Sequence, residues 1–146
     1  MTADTTPSFA EGGCLCGAVR YRVKGAPQSS SLCHCRSCRL ACGAPAVAWV
    51  AYRADHVDLL HGEPASMHSS PKVVRSFCPR CGTPLTYRHA DEPGVIELTT
   101  ATLDHPERFP PTREIWLEHR IGWQGVDAKL VPHLRGSGEP PVDTVR

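Results

Sequence analysis

The sequence predicts a mainly β domain of antiparallel strands, with little helix, held together by bound metal. Three observations carry that expectation. The 146 residues include 14 prolines and 12 glycines, spread so that they interrupt almost every window in which a long amphipathic helix would form. Short segments rich in β-branched and aromatic residues recur between those breaks. Of eight cysteines, seven fall in a doubled pattern, C-x-C at 14/16 and 33/35 and C-x-x-C at 35/38 and 78/81, which suits metal ligation; Cys42 is left over.

In chain order, residues 1–10 are expected to be a flexible lead-in, 11–134 a single domain, and 135–146 a polar tail rich in proline and glycine. Strands are expected over 18–23, 46–51, 57–60, 72–77, 85–88, 95–99 and 114–118. Several of these alternate apolar with polar residues, as antiparallel strands with one wet face do. The one helical turn is expected at 36–41, beside the central thiols.

A chain of this length buries a core without staples, so the cysteines need their own explanation. Disulfides would suit an even count, but the N-terminus shows no basic start followed by an apolar stretch. A reducing cytoplasm is therefore expected, and metal is favoured. The run Ala44-Pro-Ala-Val-Ala-Trp-Val-Ala-Tyr52 is far short of the ~20 residues of a membrane span. Lysine plus arginine (16) nearly balances aspartate plus glutamate (15), and no basic run is visible. Neither a membrane nor a nucleic acid is expected as partner; a homodimer is compatible with the sequence.

Cys78-Pro-Arg-Cys81-Gly82 reads as a metal-binding knuckle, its glycine relieving the backbone where a side chain would crowd the turn. It supplies half a tetrahedral site. Cys14-Leu-Cys16-Gly17 supplies the other half, since an extended C-x-C puts both thiols on one face. Four thiolates make a closed zinc site whose contribution is folding energy. A redox pair at Cys78 and Cys81 is the alternative, but its βαβ context is missing.

Cys33-His-Cys-Arg-Ser-Cys38 differs, because Cys33, Cys35 and Cys38 leave tetrahedral zinc one ligand short. An open position is what a catalytic zinc keeps, and a borderline-soft ion among thiolates suits an incoming thiol. Arg36 and Arg39 flank the triplet and Arg75 precedes the second C-x-x-C; each would offset thiolate charge or hold a substrate carboxylate, or simply be solvated. His34, between two ligands, is expected to point away from them. Cys42 keeps an alternative open: as a fourth ligand it would close this site.

With these residues assembled, the chain resembles the glutathione-dependent formaldehyde-activating enzyme family, whose relatives include centromere protein V. The matching stretches are Gly12-Gly-Cys-Leu-Cys-Gly-Ala-Val-Arg-Tyr21, Cys33-His-Cys-Arg-Ser-Cys-Arg39 with Gly43, Arg75-Ser-Phe-Cys-Pro-Arg-Cys-Gly82, Thr102-Leu-Asp104 with Pro106, and Ile121-Gly-Trp123. The resemblance implies a β-tent fold with two zinc ions. Cys14, Cys16, Cys78 and Cys81 would hold the structural one, and Cys33, Cys35 and Cys38 the open, catalytic one. It also implies a carbon–sulfur lyase reaction in which glutathione adds to formaldehyde. Two other readings stand beside it: a protein-binding module with two structural zincs, favoured if Cys42 closes the second site, and a thiol-based redox or metal sensor.

Overall fold

The computed structural model describes residues 8–138; the expectations for 1–7 and 139–146 lie outside the described residues. Its strands are β1 (Phe9–Gly13), β2 (Arg20–Lys24), β3 (Ser29–Cys33), β4 (Val47–Arg53), β5 (Val57–His61), β6 (Ala65–Ser70), β7 (Val73–Phe77), β8 (Pro84–His89), β9 (Val95–Thr99), β10 (Arg113–Ile115) and β11 (Val131–Pro132). One α-helix, α1 (Arg36–Cys42), interrupts them. The architecture is mainly β, as the spacing of breaks and β-formers predicts.

Two sheets form. A small antiparallel sheet has the order β1-β2-β5, and a large one runs β11-β10-β3-β4-β9-β8-β7-β6. In the large sheet only β10 breaks the antiparallel pattern, lying parallel to β3 and β11. The strand β4 explains the layering. Its Val50 and Tyr52 are buried in a core shared with Tyr21, Val23, Leu85 and Leu98, while Val47 and Trp49 are buried in a second cluster with Cys33 and Cys38. Alternate residues thus feed opposite faces, which is why this segment reads as one nearly unbroken apolar run. The small sheet covers the first face, and the second face is left for the site.

The segments quoted as Gly12 to Tyr21 and Thr102 to Asp104 dock on one another. Arg20 donates to both carboxylate oxygens of Asp104 at 2.8 and 2.5 Å, the Tyr21 hydroxyl lies 2.8 Å from that of Thr102, and Leu103 is buried. Gly12 permits this approach: a Cβ there would stand 2.5 Å from the Thr102 carbonyl oxygen, a distance no side chain tolerates.

Four strands carry no apolar signature and were not expected. The strand β1 begins at Phe9, inside the stretch read as a lead-in, because β2 pairs with it from Phe9↔Lys24 to Gly13↔Arg20. The strand β3 opens Ser29-Ser-Ser31 and β6 is Ala65-Ser-Met-His-Ser-Ser70, an edge strand whose polar composition suits an exposed ladder. The two residues of β11 are held by register alone. Conversely, the strand expected over 114–118 stops at Ile115, because Trp116 adopts the left-handed conformation with φ 59° and turns the chain into a 3₁₀ turn, Leu117–His119.

Candidate active site and metal centres

Two groups of thiols converge. In the first, the Sγ atoms of Cys14, Cys16, Cys78 and Cys81 all lie within 4.8 Å of one another. The turn after β1 presents Cys14 and Cys16: Cys14 N–H reaches the Val19 carbonyl at 3.1 Å and Val19 N–H donates to the Cys14 sulfur at 3.3 Å. The turn between β7 and β8 presents the other two. Cys81 N–H donates to the Cys78 sulfur at 3.4 Å, and Gly82 N–H to the Cys78 carbonyl at 2.8 Å with φ 80°, the conformation expected of that glycine. Thr83 joins the halves, accepting from Leu15 N–H at 3.1 Å and lying 3.2 Å from the Cys81 sulfur. Its two hydrogen bonds, side chain before backbone, hold Cys81 down at about 5.

The donor set fits zinc. A tetrahedron with metal–sulfur bonds near 2.3 Å has sulfur–sulfur edges of about 3.8 Å, and the Cys14–Cys16 and Cys16–Cys78 sulfurs stand 3.6 and 3.8 Å apart. The cluster sits at the edge of the core between the sheets and ties the first hairpin to the seventh and eighth strands.

The second group is Cys33, Cys35 and Cys38, again within 4.8 Å. Cys33 ends β3, Cys35 is the N-cap of α1, and Cys38 lies in its first turn; the Cys35 sulfur accepts from Cys38 N–H at 3.2 Å. Hydrogen bonds from the Cys33 and Cys38 sulfurs hold the Cys35 thiol well below its ordinary range, and the same hydrogen bonding raises Cys33. Three thiols sharing protons in this way behave as one anionic donor set. Among the described residues, no fourth cysteine, histidine or carboxylate joins them at that distance. Cys42, one turn further along α1, stays outside; burial raises its thiol, and it borders a separate cavity of about 90 Å³ with Met67 and Phe77.

The triplet opens into a cavity of about 410 Å³. Arg36 borders it, whereas Arg39, one turn on, does not. Arg75 is the cation that reaches sulfur: both terminal nitrogens lie 3.6 Å from Cys38 Sγ, Nε donates to Ser69 at 2.9 Å, and the guanidinium covers the Tyr87 ring at 5.0 Å. His34 points away from the triplet, fully buried, with Nε2 2.9 Å from Glu114 Oε1. Glu114 also accepts from Asp127 N–H at 3.1 Å, so the residue between two thiols is anchored behind the site.

Sequence reasoning missed Glu97, Tyr87, Trp116 and Glu114. Trp116 and His119 stack at 5.3 Å on the cavity wall, and a bulky residue at positive φ beside a cavity is a strained feature that function often explains. The available signal for the two acids was a lone carboxylate beside apolar residues, as in Val95-Ile-Glu97 and Glu114-Ile-Trp-Leu117.

The sequence profile of the glutathione-dependent formaldehyde-activating enzymes matches residues 9–119, spanning every cysteine described above. The chain belongs to the glutathione-dependent formaldehyde-activating enzyme family. A Halomonas elongata protein whose name gives that activity as provisional is 28% identical over 130 residues, 82% of each chain. An uncharacterized lyase of Schizosaccharomyces pombe is 30% identical over 82 residues, 56% of this chain and 58% of its own. A crystal structure of a Rhodobacter sphaeroides protein superposes with a TM-score of 0.54 over 64% of this chain and 87% of that one, at 22% identity, which supports the fold. Formaldehyde-activating, lyase-type chemistry with a glutathione link is thus the setting in which the family places these thiols. No helix among the described residues is long and apolar enough to cross a membrane.

Proposed function

We propose that this chain is a zinc-dependent carbon–sulfur lyase-type enzyme, joining a glutathione-like thiol to a small aldehyde to give the S-hydroxymethyl adduct, or cleaving that adduct. One observation carries the reading: the three-thiol group opens into a cavity of about 410 Å³, while the four-thiol group is complete within itself. Cys33, Cys35 and Cys38 hold the catalytic ion, and Cys14, Cys16, Cys78 and Cys81 the structural one. Zinc at the triplet would supply a position where an incoming thiol is held as its thiolate.

The chain's own residues do the rest. Arg36 at the cavity rim pairs with a substrate carboxylate, with Arg39 as the second candidate on the same helix. Arg75 offsets the negative charge on Cys38. The stacked Trp116 and His119 give the substrate a flat wall, and Trp49 and Tyr87, tilted against each other at 5.9 Å, give it a second. The cytoplasm is the proposed compartment, where eight free cysteines stay reduced.

The test is adduct formation itself. With glutathione and ¹³C-formaldehyde, exchange spectroscopy of the S-hydroxymethyl carbon measures how fast the adduct forms and breaks. Acceleration by the zinc-loaded protein, abolished in Cys35→Ser, is the expected result. No acceleration by protein that carries two metals would overturn the reading. A module with two structural zincs would instead lose a metal on Cys42→Ser.

A further inference from the structure

The bond-forming step needs a proton for the aldehyde oxygen, and none of the roles assigned above supplies one. Sulfur attack on a carbonyl carbon leaves an alkoxide, a poor product until it is protonated. Four groups near the triplet differ sharply, and two further titratable residues on the cavity, Glu92 and His119, are exposed at its rim. His34 is sealed behind the triplet on Glu114. Cys42 borders a different cavity. Tyr87 faces the site, but burial pushes its hydroxyl up to about 12, which leaves it a weak donor at neutral pH. Glu97 is the fourth.

Glu97 lies in β9, an interior strand between β4 and β8, where its register partners are Ala51 and Tyr87. Tyr87 in turn faces Arg75 on β7. Arg75, Tyr87 and Glu97 therefore form one row across three adjacent strands, and all three border the cavity over Cys33, Cys35 and Cys38. Arg75 spans the gap, touching the Cys38 sulfur at one end and acting through its charge on Glu97. The neighbours Ile96 and Leu98 point to the opposite core, so the strand offers Glu97 only the cavity face.

Resting on the reading of the site as one for thiol and aldehyde, we propose that Glu97 is the catalytic proton carrier. As the thiolate sulfur attacks the carbonyl carbon, a carbon–sulfur bond forms, the carbon–oxygen π bond breaks, and the oxygen takes the Glu97 carboxyl proton. The carboxylate left behind takes the proton that the next thiol gives up on entering, so the cycle balances as thiol plus aldehyde to S-hydroxyalkyl product. The reverse cleavage uses the same group as base. Burial, with Glu92 adding to it and Arg75 opposing it, lifts Glu97 to about 7, where it serves in both directions near neutrality. Besides the three thiols, the other charged or titratable groups on the cavity walls are Arg75, Tyr87, Glu92, Arg36 and His119.

The test separates this step from the site reading. Glu97→Gln is expected to slow adduct exchange by about 10²- to 10⁴-fold, remove the ionisation near pH 7 from the rate profile, and leave glutathione binding by the cobalt-substituted protein intact. Glu97→Asp restores part of the rate. The infrared band of a protonated carboxyl should titrate near pH 7 in the native protein and vanish in E97Q. An unchanged rate and pH profile in E97Q, or no such titrating band, overturns the proton carrier and leaves the thiol–aldehyde site standing. Native protein that binds two metals and accelerates no adduct exchange overturns both.

Discussion

The two cysteine sites are built from the same atom and the same C-x-x-C turn, yet their surroundings set them apart. Around Cys14, Cys16, Cys78 and Cys81, the sulfurs meet one another, the backbone N–H groups of Val19 and Cys81, and the Thr83 hydroxyl. Around Cys33, Cys35 and Cys38 there are three sulfurs, a buried guanidinium and a cavity. The first joins two sheets that share one core; the second occupies the opposite face of the large sheet, where β4 sends Val47 and Trp49. Ligand count alone does not make a site reactive. The fold must also withhold a fourth donor and leave room beside the third, and α1 does this by carrying Cys42 past the group.

That contrast is broken most severely at Cys78. A structural zinc contributes about 10–16 kcal/mol in small domains, as much as the whole stability of a domain this size. Cys78→Ser should therefore leave a chain without cooperative thermal unfolding and with a changed circular dichroism spectrum. Cys35→Ser should do something different: one metal lost by mass spectrometry under native conditions, adduct exchange abolished, and the β spectrum retained. If the two variants unfold alike, the division into structural and working sites fails.

Glu97 gives the next effect, and its sign follows from linkage. Its carboxyl is raised from an ordinary 4.5 to about 7 by burial, so the folded protein binds the proton more tightly than the unfolded chain. The stability this contributes is full below 4.5 and is lost as pH rises towards 7. Above pH 7 the native protein should be less stable than E97Q by roughly 3 kcal/mol, and near pH 5 by much less; denaturant titrations at both pH values measure it. A difference independent of pH would mean that Glu97 faces water.

Smaller still is Arg75→Met, which removes the charge beside Cys38 and should weaken metal at the triplet by about 10- to 100-fold while leaving the four-thiol site untouched. Chelator competition resolves the two. Cys42→Ser should leave metal content unchanged and lower stability by only about 1 kcal/mol, since Cys42 is half-buried against the cluster of Cys33, Cys38, Val47 and Trp49 without joining the triplet.

Much of this was legible in the residues. The two thiol groups follow from spacing, because C-x-C and C-x-x-C bring their thiols together, and the helix at Arg36–Cys42 begins in the same crowded stretch. Strands rich in valine and aromatic residues were legible too. The strands β3 and β6 were not, since serine pairs in a sheet through its backbone and leaves no pattern. Nor was Trp116, whose positive φ depends on the chain that follows and on its N–H reaching the Arg135 carbonyl at 2.8 Å. The row Arg75, Tyr87, Glu97 is a product of register across three strands, which no single segment encodes.

Whether the triplet keeps a position for a thiol is read by adding glutathione to the cobalt-substituted protein and following metal–sulfur absorption. A saturable change is expected at one metal of the two, present in the native protein and Cys42→Ser and absent in Cys35→Ser. No change at millimolar glutathione in protein holding both metals would contradict an open position at the triplet.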